Sequence, residues 1–176
     1  MMKETDYYVL EYDSRISSSG GGLEWPERML RGYEYAADEE IVYVKQGQPF
    51  ASPCMMEHYP LLLLSEELSL FILKANPEIS YKRVVVMNLE KQNQSFYKWM
   101  DLPKAACPAP ERTLVQGGQI MAMTADIRGL EDAPVFTIPY YRAHVIIARL
   151  DAAESLLRAG IYGLVVRPIQ IAEGEF

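Results

Sequence analysis

Short apolar segments, separated by loop residues, follow one another along most of the chain. The first, 7–12, is rich in aromatic and β-branched residues, which is typical of a strand. The segment 83–89 has the continuous apolar pattern of a buried strand, and 96–100 is predicted to be its antiparallel neighbour. The same reasoning predicts strands at 41–44, 119–123, 134–138, 144–148 and 164–169. Between these strands, irregular or loop structure is expected at 17–22, 25–35, 47–53 and 103–110.

A serine followed by two carboxylates marks the start of the first helix. The hydroxyl of Ser65 can accept a hydrogen bond from the first turn, and Glu66 and Glu67 meet the positive end of the helix dipole. The helix is expected to end near Asn76, because Pro77 disfavours helical geometry in the residue before it.

The last part of the chain predicts a strand, a helix and a strand in succession. Asp151 is expected to cap the helix, and Glu154, three residues later, completes a variant of the capping box. Gly160 fits the position at which a helix ends in the left-handed conformation. This helix lies between the strands predicted at 144–148 and 164–169.

Together these elements predict an α+β fold. We expect a single domain over 1–176 with mixed, largely antiparallel strands, two main helices and the C-terminal strand–helix–strand. No internal repeat is visible in the sequence, and periodicity alone does not give the order of the strands.

Charge and hydropathy exclude several classes of protein. The chain has 176 residues, of which 17 are Lys or Arg and 24 are Asp or Glu, so its net charge is −7. An acidic chain lacks the basic surface that nucleic-acid binding needs. The apolar runs fall short of the ~20 residues of a membrane span. Without a secretory signal pattern, and with two cysteines, the chain is expected to be cytoplasmic with reduced thiols.

Two cysteines and two histidines are the candidates for metal or nucleophile chemistry, namely Cys54, His58, Cys107 and His144. Zinc sites pair their ligands at short spacings, whereas Cys107 and His144 each lie far from a second ligand. We therefore expect no metal and no other cofactor. A cysteine paired with a histidine stays open as a nucleophile, and this alternative requires a thiol pKa below its usual value.

Short motifs follow one another in the second part of the chain: an F-x-I strand at 136–138, a helix that ends A-G-I-x-G at 159–163, and a closing strand with R-P-I at 167–169. Upstream, 60–68 consists of P-L, a hydrophobic run and S-E-x-L. This pattern resembles the immunity-protein family of bacterial polymorphic toxin systems, some of whose members were long described as a domain of unknown function. The resemblance covers about 60–169, and 13–55 is unassigned.

The resemblance implies a non-enzymatic, antitoxin-like protein of the bacterial cytoplasm that binds a cognate toxin domain and blocks it. The family has no catalytic motif to transfer. A net charge of −7 suits a basic partner, since opposite charges speed the encounter of two proteins. If the resemblance holds, the expected contacts are acidic and aromatic side chains outside the core pattern, because tyrosine is enriched at interfaces. This set comprises Tyr33, Tyr35, Asp38, Glu39, Glu40, Glu131 and Asp132.

Two other classes of protein stay open. One is a small enzyme that uses a Cys/His pair. The other is a structural domain that self-associates, as a homodimer, through exposed tyrosines. In total the chain has 12 tyrosines against 5 phenylalanines.

Overall fold

The computed structural model describes residues 7–13, 15 and 22–173. Of the loop predicted at 17–22, Gly22 alone lies within the described residues. These residues form three α-helices, α1 (Glu27–Leu30), α2 (Glu66–Ala75) and α3 (Leu150–Ala159). They also form twelve strands: β1 (Tyr7–Tyr12), β2 (Leu23–Glu24), β3 (Glu39–Val44), β4 (Met55–His58), β5 (Leu61–Ser65), β6 (Tyr81–Asn88), β7 (Asn93–Met100), β8 (Leu114–Gln116), β9 (Gln119–Ala125), β10 (Val135–Tyr140), β11 (Ala143–Arg149) and β12 (Leu164–Glu173). The α+β fold is confirmed.

Every strand predicted from the sequence is present, but four strands are additional. These are β2, β4, β5 and β8, and each pairs antiparallel with a strand next to it in chain order. The segment 25–35, expected to be irregular, contains α1 and a 3-10 turn at Tyr33–Tyr35.

The strands form two six-stranded sheets, and contacts within the chain divide it into two units, one around each sheet. The central unit, the described part of 12–101 with 161–163, holds the sheet ordered β2-β3-β6-β7-β5-β4. The terminal unit, the described remainder of the chain, holds the sheet ordered β10-β11-β1-β12-β9-β8. Where the described residues define a register, the pairing is antiparallel except for β3 with β6 and β9 with β12. The prediction of largely antiparallel strands is confirmed, while a single domain over 1–176 stays a prediction.

The two units share one topology that the sequence does not reveal. In each unit an antiparallel hairpin, β4–β5 or β10–β11, runs directly into a helix of ten residues, α2 or α3. The strand after the helix, β6 or β12, pairs in parallel with β3 or β9, whose other neighbour is the short antiparallel β2 or β8. Between hairpin and post-helix strand lies β7 in the central unit and β1 in the terminal unit. The two units therefore form an internal structural repeat, in which β1 of the terminal unit takes the place that β7 has in the central unit.

Equivalent residues support this repeat. The backbone N–H of Ser65 donates to the carbonyl of Cys54 at 2.8 Å, and that of Arg149 donates to the carbonyl of Pro134 at 3.0 Å, in both cases just before the helix. Both helices bury their third, fourth and seventh residues, which are Leu68, Ser69 and Ile72 in α2 and Ala152, Ala153 and Leu156 in α3. The same burial pattern on different side chains indicates that the packing geometry, rather than the sequence, is repeated.

The first predicted helix is confirmed at both ends. The Leu68 N–H donates to the Ser65 hydroxyl oxygen at 3.3 Å, so Ser65 caps α2 as expected. The helix ends at Ala75, and the N–H of Asn76 donates to the carbonyl of Ile72.

The predicted cap of the second helix is wrong. Strand β11 runs straight into α3, so the helix begins at Leu150, and the residue at the cap position is Arg149, which makes no side-chain cap hydrogen bond. Asp151 instead lies in the first turn and accepts two hydrogen bonds from the Arg149 guanidinium, at 2.9 and 2.8 Å. Glu154 faces Arg158 one turn later rather than a cap residue. The expected end is confirmed, because Gly160 has the left-handed conformation at φ 63°.

Replacing Ser65 by alanine tests the cap of α2. The Leu68 N–H then has no acceptor, and we expect the free energy of unfolding to fall by about 1 kcal/mol. Ser65→Asp restores an acceptor and should recover most of the loss. Urea unfolding followed by circular dichroism measures both variants, with Ser80→Ala, an exposed serine of the same unit, as the control. Equal stability of Ser65→Ala and the wild type would contradict the role of the cap.

Candidate functional site

Burial alternates along β6, although the sequence predicts a buried strand at 83–89. Val84 and Val86 are each 1% exposed and lie in the core of the central unit. Val85 and Met87 are half-buried on the opposite side. The reason is that successive side chains of a strand point to opposite faces of the sheet, and one face of this sheet packs into the core. We call the other face the outer face of the central sheet.

Three neighbouring strands place apolar side chains side by side on the outer face. The register pairs Ile41 of β3 with Val85 of β6, and Val85 with Phe96 of β7, so these three form one row across the sheet. Tyr43 of β3 pairs with Met87 in the next row. Ile41, Tyr43 and Phe96 are 43%, 39% and 51% exposed. We call these five residues the open patch.

A row of charged side chains lies between the open patch and α2. Lys98 of β7 is 4% exposed, and its Nζ lies 2.8 Å from the carboxylate of Glu66, the first residue of α2. The ring centroid of Tyr81 lies 5.3 Å from the same Nζ. Beside Lys98 in the same row, Arg83 and Glu39 are both exposed and lie 3.9 Å apart. This row is the boundary of the open patch.

The terminal unit has the same strand order but a different surface. Its strands β9 and β12 occupy the places of β3 and β6, and their residues Met123 and Ile171 pack in or against the terminal core. The residues of β9 and β12 that alternate with these two include Ala122, Thr124 and Gln170, which are small or polar. On the same face, Leu114 of β8 lies opposite Ala122 and is 48% exposed. The topology therefore does not require large apolar side chains at these positions of β9 and β12, whereas β3 and β6 carry them in the central unit.

The open patch has the character of a protein-binding surface. Contiguous apolar side chains exposed on a folded domain mark places where another molecule binds. Phenylalanine, tyrosine and methionine are also enriched in protein–protein interfaces. The arrangement supplies rigid contact area rather than catalytic groups.

The two predicted contact tyrosines lie in the central unit, next to its core. Tyr33 is half-buried, with its ring edge-on to Trp99 at a centroid distance of 5.3 Å, and burial raises the pKa of its hydroxyl. Tyr35 is 58% exposed, and the guanidinium of Arg31 lies 5.2 Å from its ring centroid. Tyr35 is thus available for contact, whereas Tyr33 supports the fold.

The three consecutive acidic residues of the predicted set have different environments. Asp38 and Glu39 are exposed, but Glu40 is 1% exposed, so its prediction as a surface contact is wrong. Because β3 alternates, the Glu40 carboxylate faces inward, where it accepts hydrogen bonds from the Arg28 guanidinium and, at 2.9 Å, from the backbone N–H of Ala37.

The remaining two predicted contacts lie in the terminal unit. Glu131 and Asp132 are exposed just before β10, and the carbonyl of Glu131 accepts a hydrogen bond from the Arg149 guanidinium at 2.9 Å. They therefore belong to a different unit from the other five residues of the set.

The sequence-based set contains no member of the open patch. The sequence contains no local signal for this face, because neither 39–44 (EEIVYV) nor 93–96 (NQSF) alternates between polar and apolar residues. Glu39, which was predicted, lies on the outer face one row from Ile41.

Neither cysteine has the environment of an activated thiol. Burial raises the pKa of Cys54 to about 11 and also raises the pKa of Cys107. His58 ends strand β4 and stacks on Trp25 at a centroid distance of 5.4 Å. A cysteine nucleophile requires the opposite pKa shift, so these environments do not favour the Cys/His alternative. Within 7–13, 15 and 22–173, no three side chains of the metal-binding types form a group that could hold an ion.

Comparison with known proteins leaves the family open. No protein-family model matches the chain, and no curated protein matches it significantly. In the described part of the chain, no helix combines the length and the apolar character that crossing a bilayer demands.

Both thiols of the folded protein are expected to react slowly with iodoacetamide at neutral pH. The thiolate is the reacting form, and a pKa of about 11 leaves very little of it at Cys54. The rate at Cys54 should rise as the pH approaches 11, and unfolding in urea should raise the rate at both cysteines at neutral pH. Mass spectrometry of the alkylated protein measures this. A thiol that reacts rapidly in the folded protein at neutral pH would contradict the raised thiol pKa and favour the enzyme class.

Proposed function

We propose that this chain is a non-enzymatic immunity protein of the bacterial cytoplasm, which binds a cognate toxin domain through the open patch and blocks it. The observation that carries the proposal is the row of apolar side chains Ile41, Val85 and Phe96 on the outer face, in which Ile41 and Phe96 are exposed. The strands that take the places of β3 and β6 in the terminal unit carry Ala122, Thr124 and Gln170, which are small or polar.

The open patch supports the binding part of the proposal. Full burial of an apolar side chain of this size contributes about 1.5–3 kcal/mol, and Ile41 and Phe96 keep about half of their surface for a partner. A few central residues commonly supply most of the energy of an interface. Because paired strands hold these side chains, little conformational entropy is lost on binding.

The resemblance supports the toxin part of the proposal. It covers about 60–169 and therefore includes β6 and β7, which carry Val85, Met87 and Phe96. Ile41 and Tyr43 belong to the unassigned segment 13–55. The strands β6 and β7 thus lie within the segment that resembles the family, and β3 lies outside it. This division suits a protein that recognises one particular partner.

A second copy of the same chain is the other partner that could bind to an exposed apolar face. Each copy has a net charge of −7, so two copies repel each other at long range. We therefore favour a partner of opposite charge. Sedimentation at low and high salt distinguishes the two, since a dimer that forms through this face should strengthen as salt screens the repulsion.

Growth rescue tests the function itself. The candidate toxin domain encoded beside this gene is expressed in bacteria with and without this protein. We expect growth to be restored on co-expression. If the neighbouring domain is toxic and is not neutralised, or is not toxic at all, the proposed function is contradicted.

Truncating the open patch should weaken binding without unfolding the protein. We expect Phe96→Ala and Ile41→Ala each to weaken binding to the toxin domain at least tenfold, or about 1.4 kcal/mol. Because about half of each side chain is already buried in the fold, the free energy of unfolding should fall by about 1 kcal/mol, and both variants should stay folded. Titration calorimetry and urea unfolding measure the two effects.

Leu157→Ala is the matched control, because Leu157 is 62% exposed on α3 of the terminal unit. It should bind as the wild type does. Stable Phe96→Ala and Ile41→Ala variants that bind normally would place the contact surface elsewhere.

A further inference from the structure

We infer that the partner of the open patch contributes an arginine that binds between Glu24 and Tyr43. This inference rests on the proposed function and identifies the chemistry of the partner surface. Glu24 of β2 lies directly opposite Tyr43 of β3 in their antiparallel pairing. Directly opposite residues in such a pair place their side chains next to each other on one face. The carboxylate of Glu24 therefore borders the open patch on the outer face.

Glu24 is a charged side chain of this face that the chain itself does not engage. Within the residues that the structure describes, it is exposed and has neither a hydrogen bond nor an ion pair. Lys98, by contrast, pairs with Glu66, and Arg83 lies 3.9 Å from Glu39. A partner that covers the open patch must either leave the Glu24 carboxylate in water or supply a cation for it.

An arginine fits this place better than a lysine. A guanidinium donates two parallel hydrogen bonds to one carboxylate, and its flat face stacks on an aromatic ring. Glu24 supplies the carboxylate, and Tyr43, 39% exposed, supplies the ring. When the partner also covers Met87 beside Tyr43, water is excluded, and the charge pair gains strength in the lower dielectric.

A positively charged residue at the same edge provides a second test, in which the expected change in the association rate has the opposite sign. Lys45 follows directly after β3, is exposed, and makes no ion pair with Glu24 among the described residues. An incoming arginine is attracted by Glu24 and repelled by Lys45. Removing the two charges one at a time should therefore change the association rate in opposite directions.

The experiment measures binding of the full chain to the toxin domain encoded beside the gene, by stopped flow at low and at high salt. We expect Glu24→Gln to weaken binding roughly tenfold and to flatten its dependence on salt. Lys45→Gln should speed association. Glu111→Gln, which changes an exposed carboxylate of the terminal unit, should behave as the wild type does.

A chemical arm identifies the arginine. Phenylglyoxal, which blocks arginine, should reduce binding of the treated toxin domain to the wild type and should affect Glu24→Gln much less. Equal binding of Glu24→Gln and the wild type at both salt concentrations, or slower association of Lys45→Gln, would overturn the inference. So would an equal loss for both proteins after phenylglyoxal treatment.

The outcomes separate this inference from the proposed function. If the wild-type chain does not bind the toxin domain, the proposed function fails and the arginine site fails with it. If binding depends on Phe96 but not on Glu24, the proposed function stands and the inference alone is wrong.

Discussion

The direct passage from a fully buried strand into a short helix determines the rest of the architecture. The residues at 61–64 of β5 and at 145–148 of β11 are all buried, so both faces of each sheet are covered at these strands. In the central unit the core covers one face, and α2 packs against β5 and β7. Because α2 packs against β5 and β7, strand β3 at the far side of β6 keeps one face open, on which Ile41 and Tyr43 are exposed.

The internal repeat shows what this constraint leaves free. Both units contain the hairpin, the helix and the parallel strand pair. The side chains that form these elements differ between the two units. The terminal unit places Ala122, Thr124 and Gln170 where the central unit places apolar residues of β3 and β6. Folding therefore accepts either choice on these strands. Under the proposed function, the topology acts as a scaffold, and the outer face of the central unit recognises the partner.

Features that depend on a few neighbouring residues could be predicted from the sequence, whereas features that depend on long-range strand pairing could not. The cap at Ser65 and the left-handed Gly160 depend on a few neighbouring residues, so the sequence predicted both correctly. The cap at Asp151 failed because β11 continues into α3, which the local pattern does not show. Glu40 was misplaced because its burial depends on which face of β3 meets the core. The open patch required the order β3-β6-β7, in which two of the neighbours lie far apart in the chain.

Hydroxyl-radical footprinting of the complex shows whether the toxin domain covers the open patch, as we propose. Tyr43, Met87 and Phe96 have side chains that such radicals oxidise readily, and so do the exposed Tyr141 and Tyr162, which lie outside the patch. We expect binding to protect the first three and to leave the other two oxidised as in the free protein. Unchanged oxidation of Tyr43, Met87 and Phe96 in a complex that has demonstrably formed would contradict the claim.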